Sequence, residues 1–425
     1  MIRSQSRPRL QNSTLQLKLS RIEGVLALLA LTLACVCITA QAQTFTVLHS
    51  FTGGGDGDAP VAGLSIDGAG NLYGTTSYGG RGPGVVYKLA ERNSTWILSP
   101  LHSFTAGADG CDPANADLTI APDGSLYGTT PLCGNELCSR GCGTVFHLRP
   151  SSSLPLTPTS PWTETILYYF REQQGPGASG RLAFDSAGNI FGTTKGGGVQ
   201  GAGIAYELSP SNGGYTENTI YSFQSIVFPG GLIRDSLGNL YGVTQGTGLD
   251  YGEVFELSLS GSQWVATVLY AFQDGEDGEY PVGDLIADAQ GNMYGTTSNG
   301  GTAGGGGTVF EMSPDGHGGW VHTTLAELPG GNPYQSPGPQ DSLTMDSAGN
   351  LYGTAILNGA FHKGNVFKLT NNGGSWTYTS LYDFTGGSDG FLPFSNVVID
   401  AQGNLYGTAA QGGAHGEGVV WKIVQ

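Results

Sequence analysis

The side chains best placed to do chemistry sit in a phrase, Asp-Gly-x-x-Pro, that recurs four times. It reads Asp56-Gly57-Asp58-Ala59-Pro60, Asp109-Gly110-Cys111-Asp112-Pro113, Asp277-Gly278-Glu279-Tyr280-Pro281 and Asp389-Gly390-Phe391-Leu392-Pro393. Hard cations gather several carboxylate and carbonyl oxygens. Asp56, Asp58, Asp109, Asp112, Asp277 and Asp389 are therefore candidate ligand-binding residues, with calcium the one cation they suggest. Turn formation is the competing and leading expectation, because Asp, Gly and Pro each favour a tight turn for a separate reason. No copy shows the alternating oxygen ligands of a calcium loop, so the metal assignment stays open and no cofactor is expected.

A second group is Cys111, Cys133, Cys138 and Cys142. An even, clustered count in an exported chain implies two disulfides, with three pairings open. A four-cysteine zinc site would need paired Cys-x-x-Cys knuckles, which are missing. The histidines are scattered: His49 and His102 occupy equivalent positions, His147 follows an aromatic, and the others lie near strand ends or in loops. Neither a nucleophile with a base beside it nor a pair of carboxylates in fixed relation can be read. No catalytic residue is assigned. The glycine-rich stretches lack the Gly-Lys-Ser/Thr ending of a phosphate loop.

What positions these residues is a repeat. The phrase Gly70-Asn71-Leu72-Tyr73-Gly74-Thr75-Thr76 returns six more times, and its internal glycine falls at Gly74, Gly128, Gly192, Gly242, Gly295, Gly353 and Gly407. A spacing near 55 residues means an array or a propeller. Before the phrase comes an apolar run, joined to it by Asp-x-x-Gly-Asn, a hairpin signal. After it come a glycine-rich loop (Gly79-Gly80, Gly300-Gly301, Gly412-Gly413) and a third run such as Gly307-Thr308-Val309-Phe310-Glu311-Met312. A fourth run opens on an aromatic and closes eight residues later, as from Trp96 to Phe104 or Trp376 to Phe384. The opening aromatics read as core staples. Glu207, Glu256 and Glu311 share a strand position with Lys88, Lys368 and Lys422, which reads as solvated. Four short antiparallel strands in each of seven copies compose an all-β, seven-bladed β-propeller over residues 43–425. Residues 44–51 match only the fourth run while the chain stops after a third, so the N-terminal strand is expected to complete the last blade and close the ring.

The first 42 residues read as a signal peptide. Arg3, Arg7, Arg9, Lys18 and Arg21 precede an uncharged stretch, and Ala40-Gln41-Ala42 offers a cleavage site. Their removal leaves 12 basic against 33 acidic residues. So acidic a chain lacks the basic stripe that nucleic acid requires, and the mature part holds no stretch long enough to span a membrane.

The string Asp-x-x-Gly-Asn-Leu-Tyr-Gly-Thr-Thr, then Gly-Gly, Gly-x-Val-Phe-x-Leu and Asp-Gly-x-x-Pro resembles the GloVer tandem repeat of exported bacterial choice-of-anchor proteins, and more loosely streptogramin-lyase-like and NHL propellers. The resemblance covers residues 44–425 and implies export without implying an activity. The loops after the second and fourth strands share one end of a propeller, so a ligand is expected there. A secreted or cell-envelope monomer that binds a glycan, a protein or an envelope component without catalysis is the primary expectation. A lyase or hydrolase with its site in the central channel is the alternative, favoured if carboxylates from several blades converge there.

Overall fold

The computed structural model describes residues 43–113, 117–134, 141–150, 162–224, 227–247, 250–273, 275–302, 305–330 and 338–425. The expected leader and Cys138 lie outside them. Thr44–Val424 form one compact unit of seven four-stranded antiparallel sheets, a seven-bladed β-propeller. In the first blade, Ser65–Ile66, Leu72–Thr76, Val85–Arg92 and Thr95–Ser103 follow one another from axis to rim. The last blade takes Val398–Ile399, Leu405–Ala409 and Val419–Val424 from the end of the chain. Its outer strand is Thr44–Ser50, with Thr44 opposite Val424 and Ser50 opposite Val419. Closure leaves no sheet edge between first and last blade to recruit another chain. Among the described residues no helix is long and apolar enough to cross a membrane.

Most inner strands are two residues long, whereas Ala178–Phe184 and Glu279–Ala287 are longer and lose register midway. The irregularities fall at Gly180-Arg181 and Gly283-Asp284, with Gly180 at φ 72° and Gly283 at φ 70°.

The core lies between blades. Each seam holds its own apolar cluster: Leu64, Leu72 and Tyr87 of the first blade pack with Val398, Tyr406 and Val420 of the seventh, and Leu126 and Phe146 of the second pack with Tyr73, Val86 and Phe104 of the first. The glycine that marks the repeat has a steric cause. It pairs across the sheet with the aromatic of the third strand, Gly74 with Tyr87, Gly353 with Phe367 and Gly407 with Trp421. A Cβ on Gly353 would lie 2.6 Å from Phe367 Cζ, and one on Gly407 2.3 Å from Trp421 Cζ2. The ring tip occupies the space a side chain would need.

The hairpins explain the rest of the phrase. Asp67 accepts the backbone N–H groups of Ala69 and Asn71 at 2.9 Å each, the Asn71 amide at 2.7 Å and the Tyr73 hydroxyl at 3.1 Å. Asp288, Asp346 and Asp400 repeat all four bonds. The aromatics that open the outer strands meet the preceding blade's phrase, Trp162 against Tyr73 and Trp376 against Tyr294. The position read as solvated is in fact a cover for the phrase's tyrosine. Lys88, Lys368 and Lys422 lie 5.4, 5.1 and 5.3 Å from the ring centres of Tyr73, Tyr352 and Tyr406, and Glu256 and Glu311 accept from Tyr241 and Tyr294.

Gly353→Ala forces Phe367 and Leu343 apart and should cost about 1–3 kcal/mol, the usual range for overpacking. Gly68→Ala, with nothing within 4 Å of the new methyl, should be near neutral. Urea unfolding of both variants checks the pair, and equal midpoints would refute the steric account.

Candidate functional site

The loops after the second and fourth strands meet at one end of the propeller, as expected. Gly80 N–H donates to Gly54 O, Gly134 to Gly107, Gly301 to Gly275 and Gly413 to Gly387. The four leading aspartates are spread around this rim, and each closes its own loop. Asp389 accepts from Thr385 N at 2.7 Å, Thr385 Oγ1 at 2.6 Å, Gly387 N at 3.1 Å and the Tyr382 hydroxyl at 3.0 Å. Asp109 accepts from Thr105 N and Oγ1 at 2.8 Å each and from Gly107 N at 3.2 Å. Asp277 accepts from Gln273 N at 3.1 Å and Tyr270 at 2.7 Å. Asp56 accepts from Thr52 N at 3.1 Å, from the Thr52 hydroxyl, and faces His49 Nε2 at 3.0 Å. Burial raises the Asp56 and Asp389 carboxyls, but these hydrogen bonds outweigh it and hold both below the ordinary carboxylate value. The prolines that end the phrases clamp the seams. Thr75, Thr354 and Thr408 donate to the carbonyls of Pro113, Pro393 and Pro60 in the next blade, at 2.9 Å each.

The second aspartates differ. Asp58 is raised by burial and by Glu417, which shares a hydrogen bond with it. Asp112 is raised by burial, partly offset by Ser77 and Lys195, and its Oδ1 is buried without a partner. Cys111 is bonded to Cys133, which ties the Asp109 loop to the loop that follows the second blade's phrase. Cys142 is also disulfide-bonded, to a partner outside the described residues.

One rim aspartate does meet other chemistry-bearing groups. Asp109, His102 and Glu164 bring three ligand atoms within 4.8 Å of one another where the first and second blades join. Burial first, then Asp109, pushes the Glu164 carboxyl up to about 8, and burial lowers His102.

A larger arrangement lies on the axis. A cavity of about 290 Å³ opens at the same end and is lined by residues of all seven blades, among them Asp117, Arg181, Asp284, Asp341, Lys195 and Phe228. Its floor is a closed circuit of hydrogen bonds. Asp117 accepts from Gly63 N at 2.8 Å, Arg181 Nη2 at 2.8 Å and Asn396 Nδ2 at 2.9 Å. Asp284 accepts from Arg181 N at 3.2 Å and Gly231 N at 2.8 Å, and its own N–H donates to Ser342 Oγ at 2.8 Å. Asp341 accepts from Ser342 N at 2.7 Å and Asn396 N at 2.9 Å, and Asn396 Oδ1 accepts from Leu64 N at 3.0 Å. Arg181 keeps 44% of its side-chain surface accessible although protein surrounds it on most sides. That combination belongs to a residue facing an open channel.

Three carboxylates thus share one guanidinium. Burial pushes Asp284 up to about 6 despite Arg181, and burial followed by Asp117 and Asp284 pushes Asp341 up further from its ordinary value. Burial lowers the Lys195 ammonium, with Asp112 partly restoring it.

The sequence reading missed this floor. The signal was one alignment position, the residue before each inner apolar run, which holds Gly63, Asp117, Arg181, Gly231, Asp284, Ser342 and Asn396, together with Asp341 one residue earlier. The phrase itself is nearly constant and this position is not, so variation here reads as noise until the copies are closed into a ring. Glu164 was missed for the same reason, being one member of a position otherwise occupied by Phe45, Leu98, Glu217, Ala266, His322 and Tyr378.

The Gloeobacter/Verrucomicrobia repeat profile matches residues 34–228 and 228–425. The chain belongs to that repeat family. A search of curated proteins finds no match. Among solved structures this family member is similar to a gluconolactonase of Xanthomonas campestris, with 14% identity and a TM-score of 0.41 over 73% of this chain and 84% of that one. A Bacteroides uniformis protein provisionally assigned as a 6-phosphogluconolactonase gives 14% and 0.49 over 76% and 84%. A Thermus thermophilus protein provisionally assigned as a glucose dehydrogenase gives 14% and 0.45 over 90% and 100%.

For this member of the repeat family the raised carboxyls make a pH test. An unfolded aspartate titrates near ~4, so the folded chain keeps the Asp341 proton over a range in which the unfolded chain has lost it. The stability this contributes is complete below about pH 4 and is lost as pH rises through the folded value. Asp341→Asn lacks that loss. Its deficit in thermal midpoint relative to the unsubstituted protein should therefore shrink from pH 5 to pH 8, and a constant or growing deficit would show that Asp341 is ionised throughout.

Proposed function

We propose that this protein is an exported, non-catalytic propeller that binds the end of a polar, polyhydroxylated ligand, such as an extracellular glycan, in the axial cup. The observation that carries the proposal is the contrast between floor and walls. Each floor carboxylate oxygen already accepts a hydrogen bond, all but Asp341 Oδ1 from another blade, so no carboxylate is left over as nucleophile or base. The walls, in contrast, offer unspent groups: the remaining guanidinium face of Arg181, the Lys195 ammonium, the Gln245 and Gln340 amides and the rings of Phe228 and Phe394. Phe228 is 41% exposed at the mouth. An apolar ring beside a few convergent polar groups is the usual make-up of a small-ligand pocket. The Cys111–Cys133 disulfide supports an oxidising compartment, and the acidic balance of the chain supports solubility away from nucleic acid.

A hydrolase or lyase is the second reading, and it rests on Asp284. A carboxyl held near 6 beside a guanidinium has the proton affinity of a general acid or base.

Titration calorimetry of an oligosaccharide panel, neutral and uronate-containing, tests both. Phe228→Ala and Lys195→Ala should each weaken binding roughly tenfold, or about 1.4 kcal/mol, while thermal midpoints stay unchanged. Undiminished affinity in both variants would move the ligand off the cup. Turnover of any panel member that disappears in Asp284→Asn would replace binding with catalysis.

A further inference from the structure

We infer that His102, Asp109 and Glu164 form a binding site for one first-row divalent cation of the zinc type, fastening the rim where the first and second blades meet. The site is separate from the axial cup and stands whether or not the cup binds a glycan.

Three observations support it. The first is spacing. His102 Nε2 lies 3.5 Å from Asp109 Oδ2 and 3.5 Å from Glu164 Oε2. Such gaps exceed the ~2.7–3.2 Å of a good N–H···O bond and leave no room for a water between the atoms. Ligands held at about 2.0–2.1 Å around a tetrahedral zinc lie about 3.4 Å from one another.

The second is an imbalance of partners. His102 Nε2 and Glu164 Oε1 are both buried and make no hydrogen bond. Leaving such atoms unpaired is costly in a folded protein; one cation would satisfy His102 Nε2 directly, and Glu164 Oε1 where that carboxylate binds through both oxygens.

The third comes from the other seams, where the same positions bring no second carboxylate to a His–Asp pair, although His322 also keeps a buried Nε2 unpaired. His49 approaches Asp56 to 3.0 Å, and the matching outer-strand position next door is Leu98. Tyr270 donates to Asp277 at 2.7 Å while His322 stacks on Tyr270 at 4.1 Å. Tyr382 donates to Asp389 at 3.0 Å while Phe45 stacks on Tyr382 at 3.8 Å. Between the second and third blades Gln174 bridges the Tyr168 hydroxyl and Glu217. Only between the first and second blades, among the seams so described, does a second carboxylate face the pair, and there the His–Asp contact is opened.

The ligand set decides the metal. Calcium and magnesium prefer all-oxygen shells, whereas an imidazole with two carboxylates suits zinc and its neighbours. The side chains of His102, Asp109 and Glu164 retain 20%, 12% and 13% of their surface, enough for solvent to supply a further ligand. The Cys111–Cys133 bond begins two residues after Asp109 and anchors the same loop, so the ligand would arrive on a loop already held in place.

Cobalt and zinc are the probes, and Glu164→Leu is the test variant, because leucine is what the repeat itself places at the equivalent position in the first blade. After treatment with a chelator, the unsubstituted protein should take up one equivalent of Co2+ with visible d–d absorption, displaced by Zn2+, and its thermal midpoint should rise with micromolar Zn2+. Glu164→Leu should fold with an unchanged far-ultraviolet spectrum, bind at least 100-fold more weakly and lose the zinc-dependent rise. Absence of uptake by the unsubstituted protein would overturn the site. Equal uptake by Glu164→Leu would also overturn it, by placing the metal on other residues.

Discussion

The contact on which the structure depends is an aromatic ring laid over a glycine. The third strand of every blade carries Tyr, Phe or Trp directly opposite the glycine of the second strand, and the ring uses the space where a Cβ would stand. Because that ring also faces the neighbouring blade, as Tyr87 faces Val398 and Tyr406, one contact sets both the pairing inside a sheet and the packing between sheets. A propeller has no central core to absorb errors. Its stability resides in seven seams, each of which has to be filled by the same small set of side chains. The glycine of the phrase is constant for that reason, and its Asn and Tyr recur for another, since both bond the hairpin aspartate; only Ser125 and Phe191 replace them.

Closing the ring creates a second constraint, at the axis. Seven inner strands bring seven backbone segments together where apolar packing is thin, and their N–H groups need acceptors. The floor answers with three aspartates, an asparagine and a serine that accept from Gly63, Leu64, Arg181, Gly231, Asp284, Ser342 and Asn396. No single blade can complete this circuit. The residues therefore differ from copy to copy, and Asp117, Arg181 and Asp284 are complementary to one another only because the chain closes.

This is why the fold was legible and the axis was not. The period, the hairpin signal at Asp67 and Asn71, and the match of residues 44–51 to the fourth run depend on local chemistry that each copy repeats. The rim aspartates could be read as turn formers for the same reason, since Asp389 and Thr385 lie four residues apart. Their longer partners, such as Tyr382 seven residues upstream, needed the strand geometry. Asp117 and Asn396 are 279 residues apart, and no periodic pattern links them. The Glu and Lys position was misjudged because charge suggested solvent, whereas the lysines lie over the phrase's tyrosine rings and Glu256 and Glu311 accept from tyrosine hydroxyls.

The same logic separates scaffold from function in this family member. A group that serves the ring is answered by a neighbouring blade, as every floor carboxylate is, and its loss would be felt as instability. A group that serves a ligand should be left with unspent capacity in a place solvent can reach. By that criterion Arg181 belongs to both classes: one nitrogen binds Asp117, while nearly half of its side-chain surface faces the cup. It is the residue through which a ligand in the cup would touch the circuit that holds the blades together, so occupancy and rigidity at the axis would be coupled through a single side chain.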